Sequence, residues 1–415
     1  MDLKTKRWYV LLASILINLC IGSGYAWSVF AKPMVVLLGC TAAAATLAFT
    51  ISNTFGPVTM ILGGRMQDKF GPKWVIVAGA FMFGGGVFLT GFTTSVTWLY
   101  MSYGVLMGLG MGTIYSCTIA NTVKFFPDKR GLVAGLATAG YGCGSILVPP
   151  LANSLIASQG ILATFRTLGI AYFVIIAVGA FFVTTAPAGY KPEGWNPPAP
   201  TAGSTVSGVD KNWNQMLTDP MFYVLLVMLT VGAFAGLMII SQASPIAQEV
   251  IKVTPAVAAV AVSMIALANT SGRIFWGWIS DKIGRYVALT TMYIISGIAV
   301  FALTSINSYA AFLTAAMLVG LCFGGIMGIF PALTADMFGP KNNGVNYGIM
   351  FTGFAIAGLF GPMTAATVKA SHNGDYTLAF IIAACCSILG IVLTQVVRIK
   401  TKKDQEARVA IAAKA

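Results

Sequence analysis

Apolar runs and short polar segments alternate along the whole sequence. Runs of roughly 20 apolar residues are long enough to cross the hydrocarbon core of a bilayer as helices. A helix also satisfies its own backbone hydrogen bonds, which lipid cannot do for it. The pattern therefore predicts twelve membrane helices, near residues 8–30, 42–65, 73–92, 98–122, 131–156, 166–187, 220–242, 255–279, 286–304, 309–335, 344–368 and 375–397.

One polar stretch is longer than all the others. It contains four prolines and a middle rich in glycine, serine and threonine, which is typical of a linker. We predict an all-α membrane protein with twelve transmembrane helices in two pseudo-symmetric six-helix halves. Its parts are a first half at 1–187, a linker at 188–219, a second half at 220–397 and a tail at 398–415.

The two halves share motifs at a constant spacing. GRMQDKFG begins at Gly64 and GWISDKIG begins at Gly277, so that their aspartates, Asp68 and Asp281, lie 213 residues apart (281 − 68). The same offset relates two further pairs of glycines, Gly135 with Gly348 and Gly140 with Gly353. A constant offset over separate motifs predicts parallel structural repeats about an axis normal to the membrane.

Composition agrees with a lipid environment and changes the meaning of the charge. Hydrophobic residues make up 57% of the chain and charged residues 9%, with a mean hydropathy of +0.83, which excludes an ordinary soluble fold. The net charge of +13 would suggest nucleic acid in a soluble protein. Here the basic residues instead cluster in alternate polar segments, which are marked by Lys4, Lys6 and Arg7, by Lys69 and Lys73, by Lys124, Lys129 and Arg130, by Lys282 and Arg285, and by Arg398, Lys400, Lys402 and Lys403.

This charge asymmetry predicts the orientation of the chain. Under the positive-inside rule, both termini and the linker lie in the cytoplasm. We therefore expect a multi-pass protein of the plasma (inner) membrane whose partner is the lipid bilayer and not a nucleic acid.

Arg273 is the clearest charge in the middle of a predicted helix. It lies eight residues before Asp281, about 12 Å from the polar end of the run. An intramembrane charge costs on the order of 3 kcal/mol and by default has a function. No aspartate or glutamate falls in the middle of an apolar run, so an anionic substrate is the expected counterion. A guanidinium matches a carboxylate bidentately, whereas the alternative is a snorkelling side chain bonded to backbone carbonyls.

Several polar and aromatic residues are candidates for the same cavity. Asn269 lies one turn before Arg273 on the same helix face. Tyr115 is the strongest of the others, because a buried phenol needs a hydrogen-bond partner. The further candidates are Tyr25, Ser28, Thr118, Tyr141 and Phe354, although packing alone would also explain each of them.

The repeated motif resembles the loop motif of the major facilitator superfamily. A glycine is followed four positions later by an aspartate and then by a basic residue, as in Gly64, Asp68 and Lys69. The resemblance implies the major facilitator fold and a role for the motif in holding one closed state. We assign this conformational role to Gly64, Asp68, Lys69, Gly277, Asp281, Lys282 and Arg285.

Further motifs resemble the oxalate/formate antiporter family and its monocarboxylate-transporter relatives. They are FFPDKRG at 125–131, the segment 216–222, SGR at 271–273, SDKIGR at 280–285 and NYG at 346–348. This resemblance implies transport of small carboxylates, with Arg273 as the cation that binds the substrate.

Two departures from that family pattern bear on the substrate and on its coupling. Phe354 stands where oxalate exchangers carry a second cation, a lysine, which favours a monoanion. Ser28 and Asn269 stand where proton-coupled relatives carry a lysine and an aspartate. Asparagine cannot carry a proton, so coupling through the substrate carboxyl, through another group or through no proton at all stays open.

We therefore predict a monomeric secondary transporter of small monocarboxylates such as lactate, pyruvate or formate, which works by alternating access through symport or exchange. The alternatives are a dicarboxylate exchanger of the oxalate/formate type and a non-transporting carboxylate sensor. A drug or cation exporter would need an acid in the cavity, and the absence of any aspartate or glutamate in the middle of an apolar run argues against this class. We expect no enzyme activity, cofactor or metal, because the seven cysteines lack metal-ligand spacing and no His, Cys and Asp cluster exists.

Overall fold

A computed structural model describes residues 2–187, 190–195, 210–306 and 308–412. Within these ranges the regular structure is helical, and twelve helices are long and apolar enough to cross a membrane. We number them α1 to α12: Leu3–Leu38, Ala42–Phe70, Pro72–Thr90, Val96–Phe125, Arg130–Gln159, Ile161–Phe182, Pro220–Val250, Pro255–Ile283, Arg285–Ala302, Tyr309–Phe338, Asn343–Ser371 and Thr377–Ala412.

The predicted number, order and type of the helices are confirmed, but most of the helices extend beyond their apolar runs. The first helix was expected at 8–30 and covers Leu3–Leu38, with a 3₁₀ segment at Ser23–Ala26. The motif around Asp68 was expected in a loop and instead forms the last turns of α2. The predicted Gly/Ser/Thr-rich middle of the linker lies outside the described residues.

The bounds of corresponding helices repeat at the offset found in the sequence. Helices α2 and α8 differ by 213 residues at both ends (255 − 42 and 283 − 70). Thr41 and Thr254 cap them by accepting hydrogen bonds from the N–H groups of Ala44 and Val257. Both helices end at a glycine with positive φ, Gly71 at 82° and Gly284 at 87°, and a side chain there would be strained. The repeat is therefore built into helix starts and stops.

The chain forms two compact units. Unit 1 comprises residues 1–127, 137–193 and 340–349, and unit 2 comprises residues 128–136, 194–339 and 350–415. Each unit thus contains a short segment from the other half of the sequence. The predicted halves at 1–187 and 220–397 stay predictions.

Helix packing follows the same scheme inside each unit. In unit 1, α4 packs against α1, α2 and α3, and α6 packs against α1 and α3. In unit 2, α10 packs against α7, α8 and α9, and α12 packs against α7 and α9. Glycines allow close approach at several crossings; a side chain on Gly108 of α4, for example, would press on the backbone of Ser52 in α2.

A short helix, Trp213–Leu217, precedes α7 in unit 2. Lys211 donates its backbone N–H to the carbonyl oxygen of Phe338 at the end of α10, and its ammonium pairs with Asp219. Burial alone would raise the pKa of Asp219, but the Lys211 ammonium and the Met221 N–H hold it below its ordinary value. This anchors the start of α7 to the end of α10.

Candidate functional site

Arg273 lies buried in α8 with Asn269 one turn earlier. Both residues are buried, with 7% of the surface of each exposed. The Nε and Nη2 atoms of Arg273 donate to Oδ1 of Asn269 at 3.4 and 3.3 Å, and Nδ2 of Asn269 donates to the carbonyl oxygen of Gly320 at 3.4 Å. An amide oxygen carries no net charge. Asn269 therefore orients the guanidinium without neutralising it.

Glycines of two neighbouring helices pack against the backbone of α8 at Arg273. A side chain on Gly135, in the segment of α5 that belongs to unit 2, would collide with the carbonyl oxygen of Arg273. A Cβ atom on Gly328 of α10 would lie 2.7 Å from the same oxygen. Close packing on both sides fixes the position of the α8 backbone, and hence of the guanidinium.

Phe354 belongs to an aromatic stack in unit 2. Its ring is nearly parallel to that of Phe323, with centroids 6.3 Å apart and an interplanar angle of 9°, and it also stacks on Phe351 at 4.7 Å. The residue is half-buried. The position where related exchangers were expected to carry a lysine therefore presents an apolar face.

The three tyrosines predicted as site candidates come together in unit 1. Tyr141 of α5 meets Tyr25 of α1 edge to face, with centroids 5.4 Å apart, and meets Tyr115 of α4 at 5.3 Å. The Tyr141 hydroxyl donates to the Sδ atom of Met111 at 3.4 Å. Tyr25 remains 40% exposed. These rings form an aromatic cluster with phenol groups, an arrangement that can hold a small polar molecule.

The hydroxyl of Thr118 donates to the carbonyl oxygen of Tyr115 at 3.2 Å, one turn along α4 from the cluster. Thr118 is fully buried, accepts a hydrogen bond from Nδ2 of Asn18 at 2.9 Å and donates to the carbonyl oxygen of Ile114. Ser28 is exposed on α1. Asn18 was missed in the sequence, although an amide in the middle of an apolar run could have identified it.

The first motif joins α2 to the start of α11 inside unit 1. Asp68 accepts hydrogen bonds from the Lys124 ammonium at 2.8 Å and from the Val345 N–H at 3.1 Å, and Lys124 also donates to the carbonyl oxygen of Lys341. A side chain on Gly64 would collide with the backbone of Gly344. The aspartate thus caps a helix N-terminus, at a crossing that requires glycine.

The second motif makes the corresponding contacts inside unit 2. Asp281 accepts from the N–H groups of Gly131 and Leu132, at 2.9 and 2.8 Å, at the start of α5. Leu132 corresponds to Val345 at the offset of 213 (345 − 132). A side chain on Gly277 would likewise collide with the carbonyl oxygen of Gly131. The two aspartates therefore cap equivalent helix ends.

A buried network of charges adds to the second motif. Arg285 pairs with Asp281 at 2.7 Å and with Asp336 at 3.2 Å, and Arg130 pairs with Asp336 at 2.6 Å. Asp336 is 4% exposed. The sequence pattern does not reveal Asp336, because the tenth predicted apolar run ends at residue 335, one residue before it, and because Arg130 reads as a charge in a polar segment.

The remaining basic residues of the motifs lie at the surface. The Lys69 ammonium lies over the ring of Phe70, 5.1 Å from its centroid, and the Lys282 ammonium lies over the ring of Trp278 at 3.7 Å. Among the described residues no group of His, Cys, Asp and Glu is arranged to hold a metal ion.

The sequence matches the model of the Major Facilitator Superfamily over residues 11–362 and 228–414. The chain belongs to this family. It is a multi-pass membrane transporter and not an enzyme, and the predicted resemblance to oxalate/formate antiporters and monocarboxylate transporters is confirmed.

Among curated relatives, the oxalate:formate antiporter of Oxalobacter formigenes is 31% identical over 399 residues, which cover 94% of this chain and 90% of that one. The uncharacterised MFS-type transporter YhjX of Escherichia coli is 31% identical over 358 residues, covering 86% and 87%. Monocarboxylate transporter 12 of Xenopus laevis is 24% identical over 369 residues, covering 84% and 79%.

Solved structures share the fold. The proton:xylose symporter XylE superposes with a TM-score of 0.71 at 12% identity, covering 95% of this chain and 96% of that one. A variant of the E. coli fucose:proton symporter FucP gives a TM-score of 0.70 at 15% identity, covering 93% and 97%. The predicted major facilitator fold is confirmed.

Proposed function

We propose that the protein transports small monocarboxylates by alternating access, with the substrate carboxylate bound to Arg273. The observation that carries this proposal is the buried guanidinium, which is oriented by a neutral amide and held on a closely packed backbone. A cation buried within a membrane helix is by default part of a functional site. The relatives named for oxalate, formate and monocarboxylates support a carboxylate as that anion.

Two groups of aromatic residues support a small substrate. In unit 1 the phenols of Tyr25, Tyr115 and Tyr141 form a small polar aromatic cluster, and in unit 2 the stack of Phe323 and Phe354 offers an apolar surface. Because Phe354 brings no second positive charge, the site suits one carboxylate better than two. Symport with protons and exchange of anions are both compatible with these residues.

We further propose that Asp68 and Asp281, with the rest of their motifs, stabilise one closed state of the transport cycle. Asp68 caps the N-terminal end of α11 and Asp281 caps that of α5, so each helix end loses its cap when these hydrogen bonds break. We also propose that both termini lie on the cytoplasmic side of the plasma membrane and that the protein functions as a monomer.

Counterflow in proteoliposomes tests the transport proposal. Vesicles loaded with unlabelled lactate, pyruvate, formate or oxalate are given a labelled form of the same anion outside. We expect transient accumulation with the monocarboxylates and a weaker response with oxalate. A dicarboxylate exchanger would reverse this order, and a sensor would bind these anions without exchanging any of them.

The substitution Phe354→Lys should move the preference towards dicarboxylates. A second cation would neutralise the second carboxylate of oxalate, and a gain of about 1.4 kcal/mol is a tenfold change in affinity. We expect the ratio of oxalate to lactate uptake to rise roughly tenfold. The uncharged variant Phe354→Met is the control, and an unchanged ratio in Phe354→Lys would remove this residue from the selectivity argument.

A further inference from the structure

A cavity of about 310 Å³ lies in unit 1 where α2 turns into α3. Its lining includes Gln67, Asp68, Lys69, Asn121 and Lys124, none of which belongs to the proposed carboxylate site. The volume is sufficient for a molecule larger than a few waters. The cavity is therefore a second place where a ligand can bind.

The cavity carries a net positive charge and one unsatisfied acceptor. Asp68 and Lys124 pair with each other, whereas the Lys69 ammonium lies over Phe70 at the surface. Gln67 is 3% exposed, and its Oε1 atom has no hydrogen-bond donor in the part of the chain that the structure describes. A buried acceptor without a donor is costly. A fitting ligand would bring both an anion and a hydrogen-bond donor.

The surroundings of the cavity are those of a membrane boundary. Phe70 ends α2 with 63% of its surface exposed, and Trp74 in the first turn of α3 is 65% exposed. The Lys73 ammonium lies over the rings of Trp74 and Phe181, 5.1 and 4.2 Å from their centroids. Exposed aromatic and basic side chains at helix ends are typical of the level of lipid headgroups.

We propose that this cavity binds the headgroup of an anionic phospholipid that carries hydroxyl groups, as phosphatidylglycerol does. The phosphate pairs with Lys69, and a headgroup hydroxyl donates to Oε1 of Gln67. The bound headgroup lies against the pair of Asp68 and Lys124, so it stabilises the first motif. The inference does not depend on which substrate is transported.

Thermal unfolding of the full-length protein in nanodiscs tests the proposal. The discs contain phosphatidylcholine alone or with added phosphatidylglycerol or phosphatidylmethanol, which has the same phosphate charge but no headgroup hydroxyl. A ligand of the folded state raises the midpoint temperature Tm. We expect the rise to be largest with phosphatidylglycerol, smaller with phosphatidylmethanol and absent with phosphatidylcholine alone.

Two variants separate the two contacts. In Lys69→Gln the rise with both anionic lipids should be reduced, whereas in Gln67→Met the rise with phosphatidylglycerol should fall to the level of phosphatidylmethanol. Lys282→Gln is the matched control, because Lys282 occupies the equivalent position in the second half (282 − 69 = 213). The preference for phosphatidylglycerol should persist in that control.

Three results would overturn the proposal. The first is an equal Tm in all lipids for the unmodified protein. The second is the same loss of response in Lys282→Gln as in Lys69→Gln, which would indicate surface charge without a specific site. The third is a full response to soluble glycerol phosphate in phosphatidylcholine discs, which would assign the cavity to a free phosphate ester.

Discussion

Replacing Arg273 by alanine is expected to abolish carboxylate uptake and binding. Removing one member of a buried charge pair costs about 2–5 kcal/mol, which is roughly a 30- to 4,000-fold loss of affinity. The substrate carboxylate would then lose both its charge partner and its bidentate hydrogen bonds. Uptake of labelled lactate and formate into proteoliposomes measures the effect on transport, and the Tm rise on adding each anion measures binding.

The controls separate a lost ligand from a lost fold. Arg273→Lys keeps the charge without the planar fork, so intermediate affinity is expected. Arg166→Ala removes an exposed arginine of α6 that lies over Phe92, and it should leave uptake unchanged. If Arg273→Ala still transports lactate and formate at the rate of the unmodified protein, the proposed site is wrong.

Replacing Asp336 by asparagine is expected to give the second large effect, on stability. The change leaves Arg130 and Arg285 with one carboxylate fewer in a buried place. Breaking a buried ion pair by removing one member costs on the order of 3 kcal/mol. Because membrane proteins commonly unfold irreversibly, Tm is compared at one scan rate in one detergent.

The comparison variant is Asp68→Asn in the first motif. Asp68 pairs with a single ammonium, so a smaller loss of about 1.5 kcal/mol is expected. The order of the Tm values should be the unmodified protein first, then Asp68→Asn, then Asp336→Asn. Equal or reversed losses for the two variants would show that the buried network is not the stronger of the two clusters.

The larger loss of stability expected for Asp336→Asn has a cause in how the two halves differ at equivalent positions. At the offset of 213, Arg130 corresponds to Asn343, Asp336 to Val123 and Arg285 to Pro72. The first motif therefore has its capping aspartate but no counterpart of the arginine pair. The side chain of Asn343 is buried, and neither of its amide atoms has a hydrogen-bond partner among the described residues. Unit 2 carries the more extensive polar network.

The fold was predictable from the sequence because lipid imposes simple rules. Each apolar run had to become a helix, and the offset of 213 required both halves to share one plan. What failed was the position of helix ends: α2 continues to Phe70 because Gly71 is the residue that adopts positive φ. Hydropathy alone does not detect such a stop, since the last turns of a membrane helix are polar.

The candidate site was predictable in part. Asn269 and Arg273 were paired from their spacing along one helix, which fixes neighbours without tertiary information. The clustering of Tyr25, Tyr115 and Tyr141 depends on three helices and could be listed but not assembled from the sequence. Asp336 was missed because a buried acid at a helix end resembles a loop charge until its two arginines are in place.

By itself the sequence determined that the chain lies in a membrane, how many helices cross it, and where Arg273 sits along one of them, because these follow from apolar length and charge. The tertiary structure decided which charges become partners and which segments change unit, since Arg130 and Val345 meet their carboxylates 206 and 277 residues away. Contacts over such distances depend on helix crossings, and these are set by side-chain packing that no local pattern encodes.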